Sequence, residues 1–167
     1  MKVLVAGIGN VFLGDDAFGV EAVARLAGRQ LPAGVEVADF GIRGFDLAYA
    51  LMDGYDAAIL VDALPRGEPA GTLCVLEPDL DDLDRGAATL DSHAMNPMAV
   101  LAMVRQQGGT LPPTWIVGCE PAVIDPEGEG HMGLSQPVAA AVDAAADLVE
   151  TLVRRVAAPA GSTPRRD

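Results

Sequence analysis

Residues 2–7, KVLVAG, constrain the fold more than any other stretch, because a continuous apolar run offers no polar face to water. Such a strand must be covered on both sides, and a sheet covered on both sides is the mainly parallel sheet of an α/β protein. The next residues fit that demand. A glycine-rich turn leads into Val20, Val23, Leu26 and Ala27 at helical spacing, with Glu21 and Arg25 four apart on the outer side. The alternation continues with VEVADFG at 35–41 as a second strand and a short helix through Leu47, Leu51 and Met52. AAILVDAL at 57–64 and GTLCVLEP at 71–78 read as strands three and four. The link between these two is too short for a helical crossover, so the pair is expected to form an antiparallel hairpin.

Residues 79–95 read as acidic and irregular, followed by a helix from about Pro97 to Gln107 that ends at Gly108 and Gly109. TWIVGCEP at 114–121 is the last strand, and 123–133 is a loop. In the closing helix Ser135 is placed as the cap, and Val138, Ala141, Val142, Ala145, Leu148, Val149, Leu152 and Val156 form one apolar stripe. The expected architecture is a three-layer αβα sandwich. Its twisted sheet has about five strands and is mainly parallel, with one strand antiparallel. One domain spans 1–156, and the tail 157–167 has no core-forming residues and is expected to be disordered.

Composition narrows the partners. Half of the 167 residues are hydrophobic, enough for one domain with a substantial core. Acidic residues outnumber basic ones 24 to 11, giving a net charge of −13. Such a surface repels nucleic acid and anionic membranes and favours a basic peptide or a metal cation. Cys74 and Cys119 match no paired metal or redox spacing and read as reduced thiols of a cytoplasmic protein. Gly7, Gly9 and Asn10 interrupt the apolar N-terminus, which argues against an export signal, and no apolar run approaches the about 20 residues of a membrane span.

Ligands of an open α/β sheet bind beyond the carboxyl ends of its strands, where GIGNVFLGDD, DFGIRG, VDALPRG and GCEPA fall. The first of these is not a dinucleotide turn. Its glycine spacing is wrong, and Asp15 and Asp16 would meet a pyrophosphate head-on. One of the pair is expected to cap the helix, a role worth about 1 kcal/mol, leaving the other for a cation. Asp62, closing strand three, is either hydrogen-bonded to loop amides or bound to a cation, since burying it unpaired is costly. His93 precedes a helix, and His131 competes with it for any role. Two carboxylates and one imidazole suit a divalent transition metal with positions left open. Neither Ser135 nor Cys119 stands in a nucleophile motif.

The ordered set GIGNVFLGDDAFGV, DFGIRG, ILVDALPRGEPAGTL, DSHAMNP, VGCEPA and GLSQPV resembles the hydrogenase maturation proteases over about residues 2–152. These endopeptidases trim the C-terminus of the large subunit of nickel-iron hydrogenases. The resemblance implies that Asp16, Asp62 and His93 bind nickel. It also implies that the metal arrives already inserted in the precursor, as a checkpoint completed by precursor cysteinates; zinc or cadmium would occupy the site in vitro. DFGIRG marks the branch with a GIRG-type motif, with Gly41, Arg43 and Gly44 as substrate-contacting residues; for Arg43 a surface salt bridge is the competing role. The attacking group is expected to be a water activated by Asp16 or Asp39. The implied partner is the large-subunit precursor, met by a cytoplasmic monomer. Two rivals remain: a non-catalytic metal-binding chaperone of the same precursor, and a nucleotide-dependent enzyme.

Overall fold

In the computed structural model, which describes residues 1–84, 95–122, 130 and 132–158, the apolar segments form a five-stranded sheet. Its strands are β1 (Val3–Ile8), β2 (Val35–Gly41), β3 (Ala57–Ala63), β4 (Leu73–Leu76) and β5 (Thr114–Cys119). The helices are α1 (Phe18–Ala27), α2 (Gly44–Leu51), α3 (Leu80–Asp84), α4 (Pro97–Gln106) and α5 (Gln136–Ala157). Every residue of β1 and β3 is buried, because each lies at the centre of the order β2-β1-β3-β5-β4 with helices on both faces. Alternate side chains divide between two cores, as the two-residue period of a strand requires. Val3, Val5, Ile59, Val61 and Val117 pack with α1 and α5 on one face. Leu4, Ala6, Ile8, Leu60 and Ile116 pack with α2 and α4 on the other. Each large side chain fully buried in this way contributes about 1.5–3 kcal/mol. The three-layer αβα architecture with one antiparallel strand is therefore the observed one.

The hairpin is not. β3 runs parallel to β5, and β4 pairs antiparallel with β5 rather than with β3. The segment 64–72 crosses two interstrand spacings, about 10 Å, over the end of β5. Glu120 holds that crossing in place. Its carboxylate accepts from the backbone N–H of Arg66 at 2.7 Å and of Gly67 at 3.3 Å, and its own N–H donates to the Thr72 carbonyl at 2.9 Å. A short link therefore does not require the strands it joins to be partners.

Two local expectations also change. Residues 80–84, read as irregular, form the short α3, while 85–94 lie outside the described residues. Arg25 bonds Asp143 on α5 instead of Glu21 on its own helix, and Arg29 joins Asp147 and Glu150 to tie the two helices together. α4 begins as expected, with Asn96 capping it by accepting from Ala99 N–H at 2.8 Å, and Pro97 in the first turn. Among the described residues no helix is long and apolar enough to cross a membrane.

Because β1, β2, β3 and β5 are mutually parallel, their carboxyl ends form one edge of the sheet. At the opposite, amino edge the chain enters β1 through Lys2, whose backbone N–H donates to Asp56 Oδ2 at 2.6 Å.

Candidate active site

β1 reaches the carboxyl edge and turns back at once into a 3-10 turn, Gly14–Ala17, which leads into α1. Glycine makes that reversal possible. Gly9 sits at φ +147°, and a Cβ there would lie 1.9 Å from the backbone oxygen of Asp16. Gly19 brings α1 onto the strands backbone to backbone, since its Cβ would lie 2.1 Å from the Val61 oxygen and 2.3 Å from that of Ile8. The close approach delivers Asp16 to the end of β3, where Asp62 stands.

Asp62 is only 2% exposed, and its Oδ1 is buried with no hydrogen-bond partner among the described residues. Burial pushes its carboxyl well above the usual carboxylate range, and the charge of Asp16 pushes it further, against the single opposing bond from the Ala63 N–H. Asp16 is also raised, by burial, while the Asn10 N–H donating at 2.9 Å favours its charged form. Burial is the first cause of both shifts, and Asp62, the more deeply buried of the two, also feels the charge of its neighbour. A buried orphan oxygen facing a second carboxylate is a donor set that fits a cation: one bound there would satisfy the orphan and cancel the repulsion.

Neither aspartate of the pair caps α1, contrary to expectation. Asp15 is fully buried and accepts from Ala122 N–H at 2.8 Å, Ser135 N–H at 2.7 Å and Ser135 Oγ at 2.8 Å. Ser135 occupies the cap position of α5, yet its hydroxyl makes no capping bond because it donates to Asp15. Sequence reasoning missed this clamp: its partners lie more than a hundred positions away. It also missed Asn10, which shapes the loop by donating to Asp16 and accepting from Phe12 N–H at 2.9 Å. The signal for Asn10 was available, as an asparagine side chain readily bonds the backbone two residues on.

Asp39 is exposed at the end of β2, in register with Gly7, which in turn pairs with Val61. It therefore stands two strands, about 10 Å, from the backbone of β3, and Asp16 is the carboxylate brought to Asp62. Gly41 accepts from Gly9 N–H at 3.0 Å, joining the GIRG loop to the glycine turn. Arg43 folds over its own loop: it donates to the Asp39 carbonyl, lies 3.6 Å from Asp46 and covers the Phe40 ring at 5.7 Å. Gly44 packs against Met95, where a Cβ would lie 2.8 Å from the sulfur. His93 and His131 lie outside the described residues. Among the described residues no three of His, Cys, Asp and Glu gather closely enough to hold a metal, so the Asp16–Asp62 pair lacks a third ligand there. Cys74 and Cys119 are free thiols, and Cys119 is pushed up to about 11, chiefly by burial, far from the range of a reactive thiolate.

The family model for hydrogenase maturation proteases matches residues 20–152. The chain is 31% identical over 156 residues to the hydrogenase 2 maturation protease of Escherichia coli K12, covering 92% of each chain. It is 34% identical over 128 residues to the hydrogenase expression/formation protein HupD of Rhodobacter capsulatus, covering 76% of this chain but only 60% of that relative's length. Among solved structures, the maturating endopeptidase HybD of E. coli superposes with a TM-score of 0.75 at 29% identity, covering 94% of both chains. With the family model, the E. coli relative and the fold in agreement, the chain belongs to the hydrogenase maturation protease family.

Proposed function

We propose that this chain is the endopeptidase that removes the C-terminal extension of a nickel-iron hydrogenase large-subunit precursor, and that it reads nickel carried by that precursor. The observation that supports this reading best is the buried Asp62 Oδ1, which has no hydrogen-bond partner among the described residues, on a carboxyl that feels the charge of Asp16 at the carboxyl edge. Asp16 and Asp62, with His93 as third ligand, would hold the metal and leave positions for precursor ligands. Nickel held by these residues would supply recognition and local positive charge beside the scissile bond. Zinc or cadmium would take the same donors in vitro.

The chain's own chemistry is proton handling at a carboxylate. Asp16, made more basic than an ordinary aspartate by burial, is the preferred acceptor of a proton from the attacking water, with Asp39 as the other candidate. The water oxygen bonds to the scissile carbonyl carbon, the C–N bond breaks, and the proton passes to the departing amine. Arg43, Gly41 and Gly44 form the loop against which the precursor would lie; the link between Gly41 and Gly9 makes that loop continuous with the site. We assign the enzyme to the cytoplasm, acting as a monomer, in keeping with its free cysteines.

Incubation of the purified chain with nickel-loaded and nickel-free precursor, followed by intact mass, tests the reading. Loss of the extension only from the loaded form is expected, and Asp16→Asn should abolish it. Equal cleavage of both forms would remove metal from the recognition step, and binding without cleavage would make the chain a chaperone.

A further inference from the structure

Two adjacent carboxylates in the 3-10 turn serve opposite directions. Successive side chains of such a turn diverge by about 120°. Asp15 accordingly enters the interior, while Asp16 meets the Asn10 amide and Asp62. Each oxygen of Asp15 is engaged: Oδ1 by Ser135 N–H, Oδ2 by Ala122 N–H and Ser135 Oγ. These donors come from the segment leaving β5 and from the residue before α5, so one carboxylate joins three parts of the chain. α5 forgoes its serine cap in the process.

Such an anchor has a mechanical purpose. Asp16 and Asp62 repel one another whenever both are charged, and a turn free to move would relieve that repulsion by swinging Asp16 away. It is blocked on one side by Gly9, against which the Asp16 carbonyl is pressed. On the other side it is held by Asp15.

We propose that Asp15 is a positioning residue: its bonds to Ala122 and Ser135 fix the turn so that Asp16 and Asp62 converge on one cation. This role rests on the metal site proposed for Asp16 and Asp62. Holding ligands in place before the metal arrives raises affinity without adding a contact to it.

Zinc titration calorimetry on the intact chain, with circular dichroism to establish folding, tests it. Wild type should bind zinc and Asp16→Asn should not. Asp15→Asn cannot accept all three bonds, and its affinity should fall by about tenfold or more, the usual consequence of disturbing the surroundings of a metal ligand. Ser135→Ala should weaken binding by a smaller factor, and Ser135→Thr, which restores the hydroxyl, should recover it. A folded Asp15→Asn that binds zinc as tightly as wild type overturns the proposal. Should that variant not fold, an unchanged affinity in folded Ser135→Ala overturns it equally. Zinc binding retained by Asp16→Asn, or absent from wild type, overturns the metal-site reading itself and the inference with it.

Discussion

Asp16 and Asp62 come from different elements and meet at one edge of the sheet, where the charge of the first raises the proton affinity of the second. A cation bound there would meet an oxygen without a hydrogen-bond partner among the described residues and a repulsion to relieve. In the metal-free protein this pairing is expected to cost stability, and that cost has a measurable sign.

The folded-state pKa of Asp62 lies above its unfolded value of about 3.9, so between the two the folded chain binds more protons. Its contribution to stability is favourable at the acid end of that window and is lost as pH rises through the raised pKa. Asp62→Asn, which keeps the shape but not the charge, should therefore melt at or near the wild-type temperature at about pH 4. At neutral pH without metal it should melt higher, by at least about 1 kcal/mol or roughly 2–4 °C for a domain of this size. Added zinc should reverse the ranking. A lower melting temperature for the variant at neutral pH would mean that the charged carboxylate stabilises the fold.

His93 supplies the imidazole in this reading and His131 none. Scanning fluorimetry with added nickel or zinc should show stabilisation abolished in His93→Ala and retained in His131→Ala. Affinity should also fall as pH drops through about 6.5, where imidazole protonates. Loss of the response in His131→Ala alone would move the third ligand to that residue.

Gly19→Ala should be among the most damaging conservative substitutions. The new methyl meets backbone oxygens of both β1 and β3, neither of which can rotate aside. Overpacking of this kind costs about 1–3 kcal/mol or more, against a gain of about 0.5–1 kcal/mol in helix propensity. A net loss of about 1–2 kcal/mol is expected in urea unfolding, with metal affinity reduced in the fraction that folds. A loss below about 0.5 kcal/mol, the size of an ordinary surface effect, would show that α1 can lift from the sheet.

Truncation after Ala158 leaves α5 complete, including the bond from Ala158 N–H to the Arg154 carbonyl. The shortened chain should melt within about 1 °C of the full one and cleave at the same rate, as expected for a segment with no apolar periodicity. A clear drop in either would show that residues 159–167 dock on the domain.

Strands and helices were legible because burial on both faces writes itself into short apolar runs and helical stripes, as in β1, β3 and α5. Strand order was not: the partner of β4 depends on β5, which enters the sequence some forty positions later, and on Glu120 securing the crossing. At the candidate site the same division holds. The carboxyl edge pointed to Asp62 and to the Asp15–Asp16 pair, and it was the family resemblance that singled out Asp16 within that pair. The cap expected from one of Asp15 and Asp16 is not formed, and the actual partners of Asp15, Ala122 and Ser135, are brought to it only by the closed fold. Asp39 shares the edge, but sequence does not reveal that two strands separate it from Asp62.

The parallel alignment of β1 has a practical consequence for handling the molecule. Lys2 is the single lysine of the chain, exposed at the amino edge where β1 begins. The six residues of β1 put about 20 Å of buried strand between its ammonium and the glycine turn. Amine-directed coupling of Lys2 to a dye, a bead or a sensor surface would present the carboxyl edge outward, away from the point of attachment.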